Sequence, residues 1–89
     1  MEVTIILPTF NEKNNILLLV NLIKKVLKKN RVEIIIIDDN SPDKTGLICK
    51  NKFKKDKSIN IILNRKRIGL AKSIYQGILK SSKKNIVVM

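Results

Sequence analysis

Four consecutive isoleucines, Ile34, Ile35, Ile36 and Ile37, stand between Glu33 and the acid pair Asp38 and Asp39. Successive side chains of a strand point to opposite faces, so an unbroken apolar run is stable only where both faces are covered. A central strand of a parallel sheet, with helices on either side, provides that cover. The run is too short to read as a helix and falls far short of the roughly 18–20 residues of a membrane span.

The flanking sequence agrees with such a sheet. Val3 to Leu7 is a short β-branched strand stopped by Pro8. From Lys13 to Lys29 the residues Ile16, Leu19, Val20, Ile23, Val26 and Leu27 recur at helical steps, with Lys24, Lys25, Lys28 and Lys29 toward water near the negative end of the helix. After the isoleucine strand, a second helix is predicted from Pro42 or Thr45 to Lys54, with Leu47, Ile48 and Phe53 inward. Ile59 to Leu63 reads as a third strand. Leu70, Ala71, Ile74, Ile78 and Leu79 line a third helix, and Asn85 to Met89 starts a fourth strand. The order β-α-β-α-β-α-β predicts an α/β, Rossmann-like open parallel sheet.

Composition excludes several chemistries. The chain has 89 residues, one cysteine (Cys49) and no histidine. An internal disulfide, a Cys-based zinc site and any His-dependent triad or metal site are therefore ruled out. The formal charge of +12 comes from 19 basic residues, of which only Arg31, Arg65 and Arg67 are arginines. Ile, Lys and Asn are the amino acids of A/T-rich codons, so compositional drift accounts for much of this bias. A nucleic-acid surface would use more arginine forks and stacking aromatics than Phe10, Phe53 and Tyr75 supply, and no nucleic-acid partner is expected. Anionic lipid is the better match for lysine point charges. An acidic Met1-Glu2 start is unlike a signal peptide and leads us to expect a cytoplasmic chain. Because it stops inside a strand, at Met89, the chain reads as a piece of a longer domain.

In open parallel sheets ligands bind beyond the carboxyl ends of the strands. Those ends carry Pro8-Thr9-Phe10-Asn11-Glu12, then Asp38-Asp39-Asn40-Ser41, then the basic loop Asn64 to Gly69. The first loop has no glycine, so a dinucleotide fingerprint and a P-loop both fail. Asp38 and Asp39 are adjacent, point in opposite directions and make a poor metal pair. One is expected to face a site while the other braces the turn. Such a carboxylate suits the ring N–H of uracil or the N–H pair of guanine, with Phe10 against the base. Equally, Asn11, Asp39 and Thr45 are of the types that cap helices.

The strings Pro8-Thr9-Phe10-Asn11-Glu12 and Asp38-Asp39-Asn40-Ser41-Pro42-Asp43, with Arg67-Ile68-Gly69-Leu70-Ala71 beyond them, closely resemble the start of family 2 glycosyltransferases. Within that family the likeness is strongest to the dolichol- or polyprenyl-phosphate mannosyltransferases. The resemblance implies a GT-A fold binding a nucleotide-sugar donor, GDP-mannose or a UDP-sugar. Pro8, Phe10 and Glu12 would contact the nucleotide from the first loop, and Ile37 and Asp39 would hold the base. Gly69 would allow close backbone approach, while Lys66 and Arg67 would help neutralise the diphosphate. Phe10 stands where Tyr is usual, and Lys44 where Gly is common. The Asp-x-Asp motif that holds Mg or Mn would lie beyond Met89, along with the acceptor loop for a polyprenyl or dolichyl phosphate. A donor-binding part without its metal ligands is expected to be inactive alone, at the cytoplasmic face of a membrane in the full-length protein. The alternatives are a family 2 enzyme with a polysaccharide or glycan acceptor, and a non-enzymatic basic α/β module. A phospho-receiver domain is excluded, because the third strand ends in Asn64 where it needs an Asp.

Overall fold

The isoleucine run lies at the middle of a four-stranded parallel sheet in the computed structural model, which describes residues 1–89. The elements are β1 (Glu2–Thr9), α1 (Ile16–Val26), β2 (Arg31–Asp38), α2 (Thr45–Lys52), β3 (Ile59–Leu63), α3 (Leu70–Lys80) and β4 (Asn85–Val88). Strand order is β3-β2-β1-β4, every pair parallel. The chain steps outward from β1 through β2 to β3, then α3 carries it back to the far side of β1. The predicted Rossmann-like α/β sheet is therefore the observed one.

Register places Ile5 beside Ile34 and Leu7 beside Ile36. Ile34 and Ile36 join Val3, Ile5, Leu7 and Ile59 on one face, beneath Ile16, Val20 and Ile23 of α1 and Cys49 and Phe53 of the α2 segment. Ile35 and Ile37 turn to the other face with Ile6. All four isoleucines are at most 1% exposed. Burying each contributes about 1.5–3 kcal/mol, so this one strand anchors both faces.

Three helix expectations need correction. α1 is shorter than Lys13 to Lys29, because the N–H groups of Asn15 and Ile16 both bond to the Glu12 carbonyl and make a turn there. Its residue Val26 points to water. α2 turns Thr45, Gly46 and Cys49 inward and leaves Leu47 exposed, since the helix sits too close to the sheet for a leucine at the contact. A Cβ on Gly46 would lie 2.4 Å from both Asp38 Cβ and Leu63 Cδ2. α3 likewise meets the sheet through Ser73 and Gly77, while Leu70, Ala71, Ile78 and Leu79 are exposed and Ile74 is half-buried. No helix is long and apolar enough to cross a membrane.

Candidate functional site

β1 and β2 end side by side at Thr9 and Asp38, so their loops leave the sheet together. Asp38 turns to the α2 side and is spent on structure. Its carboxylate accepts the Thr9 hydroxyl at 2.9 Å, the Ser41 N–H at 2.9 Å and the Ser41 hydroxyl at 2.5 Å. The ties continue outward. Ser41 Oγ accepts the Asn11 N–H and Thr45 Oγ1 the Glu12 N–H, each at 2.9 Å. Asp43 accepts the N–H groups of Thr45 at 2.9 Å and Lys13 at 3.2 Å. Asn11 and Lys44, both at positive φ, hold the turns this lattice needs. Asn11 and Thr45 thus pin one loop to another, and the cap of α2 falls to Asp43.

Asp39 turns the opposite way, to the α3 side, as the adjacency of the two acids requires. Its Oδ1 accepts the Ile68 N–H at 2.8 Å and the Asn64 amide at 3.3 Å, and its Oδ2 the Gly69 N–H at 2.9 Å. Arg67 Nε lies 3.9 Å from Oδ2. Burial alone would raise the Asp39 pKa. The two backbone N–H groups, the Asn64 amide and the Arg67 charge outweigh it and hold the carboxyl below its ordinary value. Since an ionised carboxylate only accepts, Asn64 must present its NH₂ to Asp39 and its carbonyl to Gln76, whose amide N–H donates at 2.9 Å. Gly69 has φ +96°, a conformation open to glycine, with free space where a Cβ would sit. Its backbone, not crowding, demands the residue.

These groups bound a cavity of about 240 Å³ lined by Pro8, Thr9, Phe10, Glu12, Asp39, Arg67, Leu70 and Ser73. The Arg67 guanidinium stands 4.0 Å from the Phe10 ring centroid. Five expected site residues, Pro8, Phe10, Glu12, Asp39 and Arg67, are therefore brought together, with Gly69 one bond behind Asp39. Lys66 is exposed outside the cavity wall. Ile37 does not line the cavity: its side chain is fully buried under α3, against the space beside Gly77. An inward strand position next to a helix glycine leaves no other course.

Thr9 and Ser41 lie inside the two motifs but gave no sign that they clamp Asp38. Asn64, Ser73 and Gln76 come from distant segments and carry no local signal. For a divalent cation the chain offers nothing suitable. No three of its acidic or thiol groups come together. Asp38 is already occupied by N–H and O–H donors, and Asp39 by N–H donors.

The profile described as Glycosyl transferase family 2 matches residues 4–89. A dolichol-phosphate mannosyltransferase of Pyrococcus furiosus is 33% identical over 89 residues, which is all of this chain and 25% of that protein. An uncharacterised protein of Methanocaldococcus jannaschii is 41% identical over 73 residues, 81% of this chain and 30% of that one. Among solved structures, a mannosyltransferase of Pyrobaculum calidifontis, in complex with GDP-Man and Mn²⁺, superposes with a TM-score of 0.79 at 20% identity over 94% of this chain and 25% of that one. The chain thus spans about a quarter to a third of the length of the relatives it matches.

Proposed function

The chain belongs to glycosyl transferase family 2, and from that premise we propose that its 89 residues form the nucleotide-sugar-binding part of a transferase domain. The observation that carries this reading is the convergence of Pro8, Phe10, Glu12, Asp39 and Arg67 on one cavity at the carboxyl edge of the sheet. Phe10 offers a ring face to a base. Asp39, ionised and held from behind, offers the acceptor for a ring N–H, as guanine and uracil both present. Arg67 supplies a positive charge at the same mouth.

The sugar is mannose and the acceptor a polyprenyl or dolichyl phosphate in this proposal. Support comes from the name of the Pyrococcus furiosus relative and from the GDP-Man in the Pyrobaculum calidifontis structure. Mg or Mn would be held by residues other than these 89, because the carboxylates present do not fit a cation. The 89 residues alone then bind nucleotide and do not transfer sugar.

Calorimetric titration of GDP and UDP into the chain tests the binding. Asp39→Asn replaces a charged acceptor by an amide. Charge-assisted hydrogen bonds contribute about 1.5–3 kcal/mol, so affinity should fall about tenfold to a hundredfold in a variant that keeps its circular dichroism. Unchanged affinity in a folded variant would leave Asp39 as a loop clamp only. Sugar transfer by the purified chain with donor, Mn²⁺ and lipid phosphate would refute the inactivity of the isolated part.

A further inference from the structure

Ser73 lies in the first full turn of α3, is 1% exposed, and its Oγ has no hydrogen-bond partner. A helical serine commonly returns its hydroxyl to the carbonyl four residues back. Here the Gly69 carbonyl takes only the Ser73 backbone N–H, at 3.1 Å. Buried polar groups are nearly always satisfied, and one that is not requires a reason. Ser73 contributes to the wall of the same cavity as Phe10 and Asp39. Around it, the first turn of α3 holds no acidic residue, and Gly69 has no side chain to cap the helix. The α3 wall therefore presents a free hydroxyl, while Asp39, bonded to the start of α3 at the same cavity, presents an acceptor.

We propose that Ser73 is a specificity-determining contact of the nucleotide site, its hydroxyl donating to the carbonyl oxygen of the base that neighbours the ring N–H accepted by Asp39. This rests on the nucleotide-binding reading above. A ring N–H beside a carbonyl is the pattern of guanine and uracil. Adenine and cytosine carry an amino group and an unprotonated ring nitrogen there, so a donor from α3 and an acceptor from Asp39 discriminate against both. Three of the lone-pair positions on Asp39 are already filled, by Ile68, Asn64 and Gly69, which leaves room for a ring N–H but little more.

Ser73→Ala removes the hydroxyl and places a better helix former in the helix. The unliganded chain should melt at the same or a higher temperature, because no bond is lost. Affinity for GDP and UDP should fall about five- to tenfold, while that for ADP and CDP stays at its lower level. Ser73→Cys keeps the shape with a weak donor and should fall between. Equal keto-base affinity in wild type and Ser73→Ala would overturn the proposal and leave nucleotide binding intact. So would a lowered melting temperature with unchanged affinity, which marks a structural hydroxyl. If the wild-type chain binds none of the four nucleotides, the nucleotide reading itself fails and this one with it.

Discussion

The two faces of the sheet are built differently. Under α1 and α2 lies a cluster of 11 buried residues, from Val3 and Ile5 to Phe53 and Ile59. Under α3 the buried cluster is Ile6, Ile35 and Ile37 alone, and α3 meets it through Ser73 and Gly77. What α3 lacks in apolar burial it recovers in polar clamps from β2 and its end. Asp39 holds the N–H groups of Ile68 and Gly69 before the helix, and Glu33 holds Ser82 after it, through the N–H at 2.8 Å and the hydroxyl at 3.1 Å. The α1/α2 face is thus held mainly by hydrophobic burial and the α3 face mainly by carboxylates. The candidate site lies on the second, where one wall rests on clamps that a ligand can share.

Glycine substitutions give the sharpest contrast. A Cβ at position 46 would meet Asp38 Cβ and Leu63 Cδ2, each at 2.4 Å. Asp38 Cβ is fixed to β2, so Gly46→Ala should destabilise by about 3 kcal/mol, the upper range for overpacking. At Gly77 the nearest atoms are Ile6 Cγ2 at 2.8 Å and Ile37 Cδ1 at 2.9 Å. Ile37 Cδ1 is a chain end that can yield, whereas Ile6 Cγ2 is held directly on its Cβ. Alanine gains about 1 kcal/mol of helix propensity against this, so Gly77→Ala should cost about 1–2 kcal/mol, less than Gly46→Ala. Urea denaturation of both variants decides it. A larger loss at Gly77 would mean the α3 face is the more rigid of the two.

The adjacent acids should separate in the same way. Asp38→Asn turns an NH₂ toward the Thr9 and Ser41 donors, and a buried donor left unmatched costs about 1–3 kcal/mol. Its effect should appear in stability and hardly in nucleotide affinity. Asp39→Asn should lower affinity as well as stability, since Asp39 both lines the cavity and holds the Ile68 and Gly69 N–H groups before α3. Paired melting and titration measurements test this, and an affinity loss of equal size in both variants would erase the distinction.

Acid should loosen the α3 side first. Burial would raise the Glu33 pKa, but the bonds from Ser82 and Thr4 and the charge of Lys83 lower it overall, and Asp39 is lowered by its own donors. A depressed folded-state pKa contributes stability that is complete above the ordinary carboxylate value near 4 and is lost as pH falls through the lower, folded value. On the other face Asp56, held by Lys24 and Ser58, and Asp43, which holds Thr45 and Lys13, are lowered too, but both are partly exposed and the larger apolar cluster carries α1 without them. Hydrogen exchange between pH 5 and pH 2.5 should show α3 amides losing protection before those of α1. Simultaneous loss would mean the clamps do not set the stability of α3.

Much of this asymmetry was hidden in the sequence, for physical reasons. The parallel sheet and the central place of β2 could be read because an isoleucine run has one stable environment, and β1 and β3 carry the same β-branched bias. The two acid-bearing loops could be read as a site because parallel strands bring their carboxyl ends to one edge. The inward face of α3 could not, because a periodicity of large apolar residues marks Leu70, Ile78 and Leu79, whereas a close helix-to-sheet approach selects Ser73 and Gly77. Nor could the chain from Gln76 through Asn64 to Asp39, whose members lie 12 and 25 residues apart and meet only after β3 has paired with β2.

Thiol reactivity offers the last comparison and disturbs the fold least. Cys49 is fully buried in the α1/α2 cluster, and its thiol is pushed up to about 11 by burial first and then by the charge of Asp38. Thiolate is the reactive form, so at pH 8 the native chain should resist iodoacetamide and react only when unfolded in urea. Because Cys49 sits in the larger cluster, its labelling should follow global opening. A cysteine placed on the other face by Ser73→Cys, in a Cys49→Ala background, reports the helix held by clamps. α3 can detach without dismantling the 11-residue cluster, so this thiol should label faster than Cys49 at pH 8. Mass spectrometry of the alkylated chains over time gives both rates. Equal rates would show that the two faces open together, and that the burial under α1 and α2 confers no separate stability.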